Sequence, residues 1–135
     1  MASIIVLVAV VVLSTIYGLW FTKNQGKVKV HHSVGITEHE IGGELGSRLT
    51  LLQFSSAFCM PCKATRALLQ NISQGLDDVN HVEVDAESHL DLVRKLGVMS
   101  TPTTIILDSN GNEIGRAVGA PKRDQVLDAI SPISI

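Results

Sequence analysis

Residues 2–21 are 20 consecutive uncharged residues, most of them aliphatic, and no small soluble fold can enclose such a run. As a helix it would be about 30 Å long at about 1.5 Å per residue, which matches the hydrocarbon core of a bilayer. Tyr17, Trp20 and Phe21 gather at its far end, where aromatic side chains settle at a membrane interface. A soluble helix apolar on every side needs a larger protein around it than the rest of this chain provides. The competing reading is a cleaved secretory signal, but no Lys or Arg precedes the run and its end lacks a small-x-small cleavage pattern. The segment therefore reads as a membrane anchor. Lys23, Lys27 and Lys29 follow it without an acid among them, so the positive-inside bias predicts the remainder on the cytoplasmic face. The extracytoplasmic face is the alternative.

The apolar block raises the hydrophobic share to 45%, and that share with only 18% of charged residues excludes a disordered or coiled-coil chain. From residue 34 onward there are 8 basic and 13 acidic residues, a net charge of −5. An acidic domain on a short basic neck has no cationic face with which to neutralise phosphates, so no nucleic-acid partner is expected. Residues 22–33, polar and basic, read as a tether, and the pair His31-His32 lacks the neighbouring Cys, Asp or His that would complete a metal site. The expected division is a transmembrane anchor at 1–21, a basic linker at 22–33 and one domain at 34–135.

Within that domain, residues 49–54 read as a buried strand and residues 59–74 as a helix stopped by Gly75. Alternation at 81–85 predicts a second strand, and residues 88–96, stopped by Gly97, a second helix. Residues 103–107 and 113–118 form two further strands joined by a turn at Asn110-Gly111, and Pro121 opens a last helix ending near Ile130. The order predicts an α/β fold, a mixed sheet of about four to five strands, parallel at the crossover and antiparallel at the hairpin, with helices on both faces.

Cys59 and Cys62 are the only cysteines, too few for a disulfide framework of a small secreted domain. A lone Cys-x-x-Cys is compatible with a redox pair, with half a zinc site shared between two chains, or with two inert buried cysteines. No other cysteine offers zinc a ligand, and Lys63 after Cys62 breaks the haem-attachment pattern. The pair sits where a strand gives way to a helix. Unpaired N–H groups there favour a thiolate at Cys59, the expected nucleophile, while Cys62 lies one turn deeper, placed to resolve a mixed disulfide. Pro61 stiffens the loop between them.

The chain resembles the thioredoxin family in residues 54–62, in Val84-Asp85, in Gly97-Val-Met-Ser-Thr-Pro-Thr103, in Asn110-Gly111-Asn-Glu113 and in Val118-Gly-Ala120. The resemblance covers roughly residues 34–135 and implies the thioredoxin-like fold. It also implies that Pro102 is a cis-proline beside the sulfurs, and that Phe58, Met60, Pro61, Thr101 and Pro102 line a substrate groove. Two departures stand out. Phe58 and Met60 replace the family's usual Trp and Gly, and Gln53 occupies the place of a buried Asp that exchanges protons with the second cysteine. Gln cannot act as a base. His81 matches a lysine that often neighbours that Asp and reads as a partly exposed histidine at a strand start; Asp85 and His89 read as turn and surface residues.

The resulting expectation is a membrane-tethered thiol-disulfide oxidoreductase, a protein-disulfide reductase in type, using the cysteine pair and neither metal nor organic cofactor. Its partners would be disulfide-bearing proteins, the membrane, and an electron donor such as a thioredoxin-reductase-like flavoprotein. One alternative is an extracytoplasmic protein serving cytochrome maturation or disulfide transfer. Another is a non-catalytic peptide-binding module.

Overall fold

The structure, a computed structural model, describes residues 1–24, 28–29 and 35–131. The elements are α1 (Ala2–Asn24), β1 (Val28–Lys29), α2 (Glu38–Ile41), β2 (Leu49–Ser55), α3 (Met60–Gln74), β3 (Val79–Asp85), α4 (Leu90–Leu96), β4 (Thr103–Asp108), β5 (Glu113–Val118) and α5 (Arg123–Ile130). The strands form one five-stranded sheet in the order β1-β5-β4-β2-β3, with β2 and β3 parallel and the other pairs antiparallel. α1 stands outside the core. Its apolar side chains are exposed, and by length and composition it is the one described helix able to cross a membrane.

Strand alternation divides the core between the two faces of the sheet. Leu52 and Phe54 of β2 pack with Val82, Val84, Ile105 and Leu107 under α4 and α2. Leu49 and Leu51 face the other way, with Ile106, against Leu69 and Ile72 of α3 and Val126 and Ile130 of α5. α3 is amphipathic for this reason: Cys62, Thr65, Leu69 and Ile72 fall on its buried side at helical spacing. Gln53 and its cross-strand neighbour Thr104 lie on the α3 face and are buried, so a polar patch continues the apolar layer toward the start of α3. The β4–β5 turn needs Gly111: its φ is 80°, and a Cβ there would sit 1.9 Å from the carbonyl oxygen of Ile36.

Several boundaries differ from the sequence reading. Val28 and Lys29 are not tether but an edge strand on Ala117 and Arg116 of β5. α1 runs three residues past Phe21 to Asn24. α4 starts at Leu90 because Ser88 donates to the Asp85 carboxylate 2.8 Å away and stays in the preceding turn. α5 starts after Lys122 rather than at Pro121, with Gln125 reaching back to the Lys122 N–H at 2.8 Å. α2 was not anticipated; Thr37 and Glu40 form its capping box. The His31-His32 pair lies outside the described residues.

Candidate active site

The end of β2 and the start of β4 meet through the pairing of Phe54 with Thr103, which brings together the loops that leave one strand and enter the other. In the first loop the Cys59 N–H donates to the Ser56 carbonyl at 3.3 Å, and Cys59 becomes the N-cap of α3. Its sulfur accepts a hydrogen bond from the Cys62 N–H at 3.2 Å, one of the donors that a helix start leaves without an intrahelical partner. Cys59 and Cys62 are joined by a disulfide. Cys62 is 1% exposed whereas Cys59 is half-buried, so Cys59 carries the more accessible of the two sulfurs.

The second loop carries a cis peptide between Thr101 and Pro102, and Pro102 is buried. The Ser56 and Thr101 hydroxyls lie 3.3 Å apart and tie the loops together, while Thr103 Oγ1 donates to the Ser100 carbonyl at 2.7 Å. The Gly119 N–H donates to the Pro102 carbonyl at 2.9 Å. Phe58 and Met60 project into solvent beside the disulfide, 95% and 72% exposed. Met99, 94% exposed on the loop leading to Pro102, was not singled out from the sequence. Its place in the Gly97 to Thr103 motif was the available signal.

Beneath the disulfide, Gln53 is fully buried and both ends of its amide are used. Its Nε2 donates to the Cys62 carbonyl at 3.0 Å, and its Oε1 lies 3.0 Å from Nε2 of His81. A carbonyl only accepts, which fixes the orientation of the amide and makes His81 Nε2 the donor. His81 is the third residue of β3, not a residue at its start, because the strand begins at Val79. Burial pushes its imidazole below the ordinary value of 6.5, with Glu83 pulling upward and Arg66 pushing downward. Below about pH 6.5 the unfolded chain therefore binds a proton that the folded chain resists; the stabilisation is complete above that value and is lost as pH falls through the folded pKa. The urea midpoint is expected to drop less between about pH 7.5 and about pH 5.5 in His81→Gln than in the parent. An equal drop in both would contradict this.

Asp85 and His89 are held in the turn after β3, where Asp85 binds Ser88 and the Glu87 N–H and His89 Nδ1 contacts the Asp85 carbonyl at 3.0 Å. A groove of about 490 Å³ near α4, lined in part by Glu40, His89 and Lys95, contains neither cysteine nor Pro102. The cysteine pair, not this groove, carries the redox group: the groove's lining includes Leu90, Leu92 and charged side chains, among them the Glu40–Lys95 ion pair. Among the described residues no cluster of His, Cys, Asp or Glu is arranged to hold a metal ion.

A mixed sheet with a disulfide at the N-terminus of the helix after β2, facing a cis-proline loop, defines a thiol-disulfide exchange protein. The sequence model of the thioredoxin family matches residues 33–132, and the chain belongs to that family. It is 29% identical over 96 residues to a Chlamydia trachomatis thioredoxin, covering 71% of this chain and 93% of that one. Its fold is similar to a Nicotiana alata thioredoxin, with a TM-score of 0.59 and 29% identity over 70% of this chain and 80% of the other. It is also similar to spinach chloroplast thioredoxin F, with a TM-score of 0.59 and 28% identity over 67% and 80%. The chain is a thiol-disulfide oxidoreductase whose redox group is its own cysteine pair.

Proposed function

We propose that this chain is a membrane-tethered reductase of protein disulfides, with residues 1–21 as the anchor, 22–33 as a basic linker carrying the edge strand, and 34–135 as the catalytic domain. The observation that carries the reading is a disulfide with one accessible sulfur, Cys59, and one buried sulfur, Cys62. In the reduced protein the Cys59 thiolate attacks a substrate disulfide and releases one substrate thiolate. Cys62 then attacks the Cys59 sulfur of the mixed disulfide, releases the second substrate thiolate and leaves the pair oxidised. Two electrons from a donor, a thioredoxin-reductase-like flavoprotein, restore the dithiol. Phe58, Met60, Pro61, Thr101 and Pro102 are the proposed groove, with the exposed Phe58 and Met60 beside the sulfurs to meet a peptide that lies across the Pro102 loop. No metal or organic cofactor enters the reaction.

The exposed apolar length of α1 supports the anchor, and the three lysines after residue 21 support a cytoplasmic domain. Labelling Cys59 in intact cells with a membrane-impermeant maleimide, after reduction with a permeant reagent, tests the side. Labelling only after lysis is the expected result. Labelling before lysis would move the domain to the extracytoplasmic face and favour cytochrome maturation or disulfide transfer. Deleting residues 1–21 should shift the protein from the membrane pellet to the supernatant; an unchanged distribution in the parent and deleted chains would refute the anchor.

A further inference from the structure

Resolution of the mixed disulfide, the second step of the function proposed above and the reading on which this inference rests, requires Cys62 to lose a proton in a buried setting. Cys62 is 1% exposed, and the side chain bonded to its backbone carbonyl, Gln53, does not titrate. The titratable group next in contact is His81, which reaches Gln53 from β3. Because its Nε2–H is committed to Gln53 Oε1, the neutral ring keeps its lone pair on Nδ1. A proton added at Nδ1 changes the charge of the ring without breaking the bond to Gln53. It also turns that bond into a charge-assisted one, and a polarised Gln53 amide donates more strongly to the Cys62 carbonyl. The register supports the arrangement: Leu51 pairs with His81 and Gln53 with Glu83, so both β3 side chains lie beside Gln53 on the α3 face. The charged groups acting on the imidazole are Glu83 from its own strand and Arg66 from α3, which pair with each other.

We propose that His81, acting through Gln53, is a positioning residue that sustains the Cys62 thiolate as the medium becomes mildly acidic. As Cys62 gives its proton to solvent, a proton is bound at His81 Nδ1, so the negative charge forms while the ring linked to the Cys62 backbone through two hydrogen bonds carries a positive one. The thiolate then displaces the substrate sulfur from Cys59, the Cys59–Cys62 bond forms, and the imidazolium returns its proton to water. The coupling is reciprocal, since the thiolate favours the imidazolium as much as the imidazolium favours the thiolate. A neighbouring opposite charge shifts a pKa by about 1–3 units; relayed by an amide, the low end of that range applies, which is about tenfold in thiolate population. Above the range in which the imidazole titrates, the ring is neutral and the advantage disappears.

The test is stopped-flow reaction of the reduced full-length chain, in detergent micelles, with excess 5,5′-dithiobis(2-nitrobenzoic acid). The first release of thionitrobenzoate reports Cys59 attack, and the second, independent of reagent concentration, reports resolution by Cys62. In His81→Gln the side-chain amide still donates to Gln53 but carries no titrating nitrogen. The ratio of second-phase rates, parent over His81→Gln, is expected near one at about pH 8 and to rise as pH falls from about 6.5 to about 5, toward about tenfold where the buried imidazole takes up its proton. A ratio that stays constant across that range would show a structural role only and overturn the proposal. Should His81→Gln not fold, the parent decides alone. A second-phase rate that falls less steeply than tenfold per pH unit below about pH 6.5 supports the coupling, and a full tenfold fall overturns it. No second release from the parent at any pH would sink the dithiol reading and this proposal with it, whereas parallel pH profiles sink this proposal alone.

Discussion

Cys59→Ser is expected to lower the rate of protein-disulfide reduction to that of the protein-free thiol reaction, and Cys62→Ser to arrest the protein as a mixed disulfide with its substrate. The difference follows from burial. Only the Cys59 sulfur is placed at the start of α3 where a substrate can meet it, and the Cys62 N–H lies 3.2 Å from that sulfur, so this backbone donor is already aimed at a developing thiolate. Removing the nucleophile leaves no first step, and serine is no substitute because its hydroxyl stays protonated at neutral pH. Removing Cys62 leaves the first step intact and deletes the intramolecular attack that ends it. The measurement is turnover of a disulfide-bonded protein with dithiothreitol as reductant, together with non-reducing electrophoresis of the Cys62→Ser protein from cells. A Cys59→Ser variant that retained half the parent's turnover would refute the assignment. If that variant lost turnover yet still bound partners with parental affinity, the groove would bind independently of the thiols.

Arg116→Met destabilises the domain by roughly 3–5 kcal/mol, the expected cost of removing one partner from a buried ion pair. The Glu113 side chain is 1% exposed and that of Arg116 15%, and the guanidinium donates to both carboxylate oxygens at 2.7 and 2.9 Å. The same guanidinium caps the end of α4 by donating to the Leu96 carbonyl at 2.6 Å, so the substitution also releases β5 from that helix. Against a total of about 5–15 kcal/mol, this is a large share of the stability of such a domain. Converting Glu113 to methionine in the same chain should recover much of the loss, because the carboxylate then no longer stays buried beside an apolar side chain. Urea denaturation with an unchanged m-value measures both effects. A loss below about 1 kcal/mol for the single variant would contradict the ion-pair argument.

The elements that could be read from the sequence are those whose signal is local. The run at 49–54, the strand after the Asn110-Gly111 turn and the cysteine at a strand-to-helix junction each carry a local signal, and the structure has β2, β5 and α3 there. β1 has two residues and no periodicity; it exists only because β5 offers an edge, which is a tertiary fact. α2 left a signature in Thr37 and Glu40, but four residues of helix are too short for an apolar stripe. The cysteine pair was visible from spacing alone. The contact between Gln53 and His81 was not, since it joins side chains 28 positions apart through a parallel register that no local pattern reveals.

β1 also sets how far the catalytic domain can travel. α1 ends at Asn24 and the sheet edge begins at Val28, so at about 3.5 Å per residue the intervening chain spans at most roughly 14 Å. For a helix that crosses the bilayer, this short leash confines the disulfide to a thin layer over the lipid. Under the membrane-tethered reading proposed above, the search for partners becomes two-dimensional. Disulfides held in the same plane are met at an effective concentration fixed by lateral diffusion, whereas freely diffusing proteins must first arrive at the surface. Lengthening residues 25–27 with a flexible insert should widen that layer and shift the preference toward soluble substrates.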